Sequence, residues 1–223
     1  MKPLVVLSLG GSVVVPKEID LDFLRKFSRF VRRNSGRWRF IIAVGGGKTC
    51  RVYQEAARKL GVKNRGALDW IGIKSTWLNA ELLRALLGNV AEAKVYTGGR
   101  VVFRKPVLIA AGDVPGSSTD HDAVSLALRF GVRRICNLTN IPYVYDKDPK
   151  KFRSAKPLKF LTWKRYLQIA HSTWRPGVNL PFDTVASRLA RKSGLKVIIA
   201  NGKNLRNLQN ILEGKEFTGT IIF

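Results

Sequence analysis

Apolar positions along the chain follow two alternating periods. Short, largely apolar runs recur at residues 4–7, 40–44, 107–110, 134–138, 196–200 and 219–223, each of strand length. The first ends at Gly10-Gly11 and the second runs straight into Gly45-Gly46-Gly47, so each predicts a buried strand entering a tight loop. Between them, Phe23, Leu24, Phe27, Phe30 and Val31 share one helical face, while Arg25, Lys26, Arg29, Arg32 and Arg33 share the other. Asp20 is placed to cap that helix and Asn34-Ser35-Gly36 to stop it. Further helices are expected over 122–130 and 183–192. Strands alternating with helices predict an α/β fold with a mostly parallel sheet. Ligands of such sheets bind beyond the carboxyl ends of the strands, which is where the glycines cluster.

With 223 residues, 45% of them apolar, the chain suits one sizeable core and a single domain over 1–223. No stretch approaches the roughly 20 apolar residues of a membrane span. Met1-Lys2-Pro3-Leu4 does not open a cleavable signal pattern, because glycines interrupt the apolar run early. Cys50 and Cys136 are too few for a disulfide framework and have no metal-ligand neighbours, so a reducing cytoplasm and no protein-borne metal site are expected. Charge changes the picture most. Forty Lys and Arg against fifteen Asp and Glu give a formal +25, a field that attracts nucleotides, RNA or an anionic membrane surface without choosing among them. On charge alone, RNA binding is expected to be weak and without sequence preference.

Gly45-Gly46-Gly47-Lys48-Thr49 ends like a Walker A loop, but the glycine required five residues before the Gly-Lys pair is Ile42. A Rossmann fingerprint fails as well, since Cys50 occupies its last glycine position. What remains is strand, glycines and helix, with Lys48 and Arg51 in the first turn. Bare backbone amides and a helix N-terminus form an anion site. Gly10-Gly11-Ser12 repeats the arrangement, and the repetition favours phosphate over a purely structural turn. The segment Asp113-Val114-Pro115-Gly116-Ser117-Ser118-Thr119-Asp120-His121-Asp122 offers hydroxyls for a phosphate or base and carboxylates to orient a lysine or Mg²⁺. Asp69, between Leu68 and Trp70, is either a helix cap or a ligand acceptor.

Taken in order, these segments resemble the amino-acid-kinase superfamily and, within it, the archaeal-type uridylate kinases. The resemblance runs over essentially the whole chain. It rests on Gly10-Gly11-Ser12, Gly45-Gly46-Gly47-Lys48 with Arg51, and Asp69-Trp70-Ile71-Gly72-Ile73 with Thr76 and Leu78-Asn79-Ala80. It continues through Pro115-Gly116 to Asp122-Ala123, Thr139-Asn140 with Val144-Tyr145 and Asp148-Pro149, Asp183 with Ala186-Ser187, and Gly219-Thr220. The fold it implies is a three-layer sandwich around the mostly parallel sheet. The activity it implies is transfer of the ATP γ-phosphoryl to UMP with Mg²⁺, in a homo-oligomer, a hexamer.

By that resemblance Gly46, Asp69, Asp113, Val114, Pro115, Gly116, Ser117, Ser118 and Thr119 contact UMP. Gly10, Gly11, Ser12, Gly47, Arg51, Thr139, Tyr145 and Asp148 contact ATP, and Asp122 is the organising carboxylate. The N-terminal part is then mainly the UMP side and the C-terminal part mainly the ATP side. Three departures stand out. Ser8 occupies the place of a lysine that many members carry, which leaves Lys48 and Arg51, then Lys17, to supply the catalytic charge. Pro142-Tyr143 replaces the usual Asp-Gly. The loop from Pro115 is longer than in close relatives, so Asp120 competes with Asp122. A same-fold kinase for another acceptor, and a nucleic-acid-binding protein on a retired kinase scaffold, stay open at this point.

Overall fold

The computed structural model describes residues 2–149, 151–173 and 180–223, with residues 171–173 described by backbone alone. The chain begins with β1 (Leu4–Leu9), a single turn α1 (Gly11–Val14), α2 (Leu21–Asn34) and β2 (Arg39–Val44). The helical hairpin α3 (Gly47–Lys59) and α4 (Arg65–Leu87) leads to β3 (Val107–Ala110), α5 (Thr119–Arg129) and β4 (Arg134–Thr139). Short strands β5 (Val144–Tyr145), β6 (Pro157–Leu158) and β7 (Phe160–Leu161) precede α6 (Trp163–Thr173) and α7 (Thr184–Lys192). The chain finishes with β8 (Lys196–Asn201), α8 (Leu205–Glu213) and β9 (Thr220–Ile222).

The main sheet runs β3-β2-β1-β4-β8-β9-β7, with β1 near its centre between β2 and β4. All pairings from β3 to β8 are parallel; β9 turns antiparallel to β8, and β7 runs parallel to β9. Period-two alternation splits the strand side chains between two cores. Leu7, Phe40 and Ile42 join Phe27 of α2, Leu83 of α4 and Leu208 of α8 on one face. Val6, Ile41 and Ala43 join Ala127 of α5, Tyr166 of α6 and Ala190 of α7 on the other. The result is the expected three-layer sandwich. Each fully buried Leu, Ile or Phe contributes about 1.5–3 kcal/mol, so the two cores hold the strand ends in fixed register.

Local signals explain the helix limits. Asp20 accepts from the Phe23 amide at 2.9 Å and starts α2, and Asp183 accepts from the Val185 and Ala186 amides at the start of α7. The helix expected from residue 122 instead begins at Thr119, because Ser118 caps it by accepting from His121 N at 3.2 Å. Asp120 and Asp122 then fall in its first turn, where the helix dipole favours carboxylates. Asp69 is not a cap. Asn64 caps α4, and Asp69 lies inside that helix. No helix among the described residues is long and apolar enough to cross a membrane.

Candidate active site

The carboxyl ends of β1, β2, β3, β4 and β8 converge, and the first four each feed one of the loops singled out by sequence. The two glycine loops are packed against each other. A Cβ on Gly11 would lie 2.0 Å from Gly47 N, and one on Gly45 would lie 2.4 Å from Gly11 N. Gly47 has φ +62°, and a Cβ there would meet Gly11 O at 2.4 Å. Backbone contact this close excludes any side chain, so these glycines are required by packing as well as by any ligand.

Several amides of the loops are committed to the fold: Gly10 N to Leu138 O, Gly45 N to Leu9 O and Lys48 N to Val15 O, all at 2.9 Å. Those of Gly11, Ser12, Gly46 and Gly47 meet no acceptor among the described residues. Four unused amides at the ends of central strands, two of them leading into α3, make a seat for anionic oxygen. Lys48 is half-buried beside them and Arg51 is exposed one turn on; neither forms a salt bridge among the described residues.

Helix α4 fixes these loops from one side. Asn79, nearly fully buried, donates to Gly45 O at 2.8 Å and to Gly46 O at 3.1 Å. Thr76 Oγ1 accepts from Gly112 N at 2.9 Å, and Trp77 Nε1 donates to Gly112 O at 2.7 Å. Asp69 Oδ2 accepts from Gly116 N at 3.0 Å, tying down the loop after β3. Gly116 has φ +80°, which suits its glycine to the turn, while Val114 and Pro115 project outward. Sequence reading placed Thr76 and Asn79 in the resemblance but missed their role. Polar residues spaced along a largely apolar helix were the available signal.

On the other side lies a carboxylate group. Ser8 Oγ, fully buried in β1, donates to Asp120 Oδ1 at 2.8 Å, and Asp183 N donates to Asp120 Oδ2 at 3.0 Å. Ser118 Oγ donates to Asp183 Oδ2. Asp122 accepts from Ser117 Oγ at 2.8 Å, and the same hydroxyl meets His121 Nδ1 at 2.9 Å. Burial pushes the Asp120 carboxyl up to about 7, against the pull of its two hydrogen bonds and with a further push from Asp183. Burial likewise raises Asp122 to about 7; the Ser117 bond opposes this, and the charges of Asp113, Asp120 and Asp183 add to it. Asp120 and Asp122 therefore bind protons more readily than exposed carboxyls do.

Of the remaining predicted residues, Thr139 ends β4 and its carbonyl accepts from Gly202 N at 2.8 Å. Tyr145 lies in β5, paired with Pro157, and Val144 N donates to Thr220 Oγ1 at 2.8 Å. Asp148 is half-buried just beyond, its carbonyl accepting from the Lys151 and Phe152 amides. Thr139 and Val144 are thereby tied to the turn after β8 and to the start of β9.

The model of the Amino acid kinase family matches residues 3–201. The chain belongs to that family. Among its relatives, this amino acid kinase is 34% identical to a uridylate kinase of Thermoplasma volcanium, with 100% of this chain and 98% of the relative covered. It is 33% identical to a uridylate kinase of Pyrococcus abyssi, covering 97% and 98%. The crystal structure of uridylate kinase from Archaeoglobus fulgidus superimposes with a TM-score of 0.84 at 30% identity, over 100% of both chains. UMP kinase from Ureaplasma parvum, at 19% identity and a TM-score of 0.80, shares the fold.

Proposed function

We propose that this amino acid kinase transfers the γ-phosphoryl group of ATP to UMP, giving UDP and ADP. The observation that carries the proposal is the pair of interlocked glycine loops, where the amides of Gly11, Ser12, Gly46 and Gly47 and the cations Lys48 and Arg51 have no acceptor or carboxylate partner among the described residues. Full-length similarity to uridylate kinases supports UMP as the acceptor. The loop from Asp113 to Thr119, anchored by Asp69, lies on the UMP side together with Gly46. Gly10, Gly11, Ser12, Gly47, Thr139, Tyr145 and Asp148 lie on the ATP side.

In this reading a UMP phosphate oxygen attacks the γ-phosphorus in line, and the bond from that phosphorus to the β,γ-bridging oxygen breaks. The acceptor is already ionised, so no strong general base is needed. Positioning and charge neutralisation do the catalytic work. Ser8 cannot supply charge because its hydroxyl is neutral, and it donates its hydrogen bond to Asp120. Lys48 and Arg51 supply it from the second glycine loop. Asp120, reaching both β1 and the start of α7, takes the organising role; Asp122 holds Ser117 and thereby the shape of the UMP loop.

Among the described residues no three His, Cys, Asp or Glu side chains form a ready metal cage. That fits Mg²⁺, which keeps waters and is held by nucleotide phosphates with one or two carboxylates, here Asp122 and Asp183. Bound there, it would neutralise charge on the phosphate oxygens. The hexamer belongs to the same proposal and is checked by sedimentation. ADP release measured with UMP, CMP, acetylglutamate or no acceptor tests the substrate. UMP should give the fastest turnover, and equal release without acceptor would sink the proposal.

A further inference from the structure

A row of positive charge stands at the end of the sheet opposite the candidate active site. Each parallel strand starts there, and each starts at a cation. Lys2 precedes β1, Arg39 opens β2, Lys105 precedes β3, Arg134 opens β4 and Lys196 opens β8. Helices return to the same end, and their last turns carry Arg32 and Arg33 in α2, Arg129 in α5, and Arg191 and Lys192 in α7. The helical set has a structural reason, because cations offset the negative end of a helix dipole. The strand set answers no dipole, since sheets carry only small net dipoles; within it, Lys2 Nζ donates to Ser35 O at 3.2 Å and Arg39 to Phe103 O at 2.6 Å.

Two carboxylates that reach this end are already engaged. Glu92 accepts from the backbone amides of Arg104 and Lys105 at 2.5 and 2.6 Å. Glu213 pairs with Arg37 at 3.3 Å and with Lys215 at 2.7 Å. Asp113, Asp120, Asp122 and Asp183 all stand at the other end, so cations outnumber carboxylates here. Two open grooves cross this face on either side of the first strand's entry. One, of about 440 Å³, is lined by Lys2, Arg39, Phe103 and Arg104; the other, of about 360 Å³, has Leu4 and Val5 as floor and Arg133 and Arg134 at its rim.

We infer that this face binds the phosphate backbone of RNA. Five strands at a spacing of about 4.8 Å set the strand-opening cations in a row roughly 19 Å long, enough for several consecutive phosphates of one strand. Sequence reading is not built in: Phe103 is buried beneath the Arg39 guanidinium, 3.9 Å from its centroid, so it offers no ring for a base to stack on. A membrane fits less well. Surface binding to lipid uses an amphipathic helix lying in the interface, whereas here the helices arrive end-on. The inference does not depend on which acceptor the kinase site takes.

The test measures binding of a short, mixed-sequence single-stranded RNA by fluorescence anisotropy across a salt series, with UMP and ADP in excess to fill the nucleotide site. The triple variant Arg104→Glu, Arg134→Glu, Lys196→Glu should weaken binding by about tenfold or more and reduce the log–log salt slope by about 2, as three lost phosphate contacts require. Arg25→Glu, Arg29→Glu, Arg58→Glu makes the same charge change on exposed helix surfaces elsewhere and should weaken binding by less than about threefold. Equal losses in both triples, or none in either, would overturn the inference by showing a diffuse field or no site. Binding to phosphatidylglycerol vesicles that the first triple abolishes, with RNA binding unaffected, would overturn it in favour of a membrane. UMP-dependent turnover reports that each variant is folded; should the first triple lose turnover, the alanine variants at its three positions carry the same comparison.

Discussion

Ser8 and Asp120 stand 112 residues apart in sequence and 2.8 Å apart in space, the serine hydroxyl donating to the carboxylate. The position at which many family members place a lysine here holds a neutral donor. Its partner is a carboxyl that burial raises to about 7, with a second oxygen held by the Asp183 amide at 3.0 Å. In place of an ion pair, the site keeps a carboxyl able to hold a proton until cationic groups and nucleotide assemble around it.

That arrangement fixes the sign of a pH dependence. Because the folded pKa of Asp120 lies above its ordinary 3.8, at about 7, the folded state binds more protons than the unfolded state between those values. Its contribution to stability is therefore fully present below about pH 4 and is lost as pH rises to about 7. Asp120→Asn keeps the shape and removes the titration. Denaturant unfolding of the ligand-free protein should show the variant gaining on the parent from pH 4 to pH 7, while kcat for UMP phosphorylation falls. A stability difference that is flat with pH would contradict the assignment.

Gly11→Ala should damage both nucleotide sites at once. Its Cβ would sit 2.0 Å from Gly47 N, so relief requires the two loops to separate. Calorimetric titration should show ATP and UMP affinity falling together. Gly36→Ala, whose Cβ meets nothing within 4 Å, is the neutral control. Loss of ATP binding alone would mean that the loops do not move as a unit.

Lys48→Met and Arg51→Met test the source of the catalytic charge. If either cation acts mainly in the transition state, its loss should cost about 2.7–4 kcal/mol, a hundred- to thousandfold in kcat. The KM for UMP should change little, because a ground-state contact would raise KM instead. Near-normal kcat in both variants would move the role to Lys17 or to the metal alone.

Much of the fold was legible because its signals are local. Asp20 and Asp183 cap their helices through bonds to amides two or three residues ahead, and strands 40–44 and 107–110 differ from the observed ones by at most a residue. The loops at the strand ends were legible for the same reason, as glycine and hydroxyl clusters following apolar runs. Contacts made across the fold were not. Nothing near Ser118 in sequence signals that it both caps α5 and bonds Asp183, and so the helix was expected from residue 122. Asp69 read as a cap or a ligand acceptor, because the true cap, Asn64, precedes a helix without clear amphipathic period. The mutual packing of Gly11, Gly45 and Gly47 is a tertiary fact that a glycine count cannot convey.

The most direct measurement follows the phosphoryl group itself. ATP labelled in its γ-phosphate is incubated with the protein and UMP, and the nucleotide products are separated. The account predicts label in the β-phosphate of UDP, formed in step with ADP and absent when UMP is omitted. Label released as inorganic phosphate at the same rate with and without UMP, or carried to a carboxylate acceptor in preference to UMP, would contradict it.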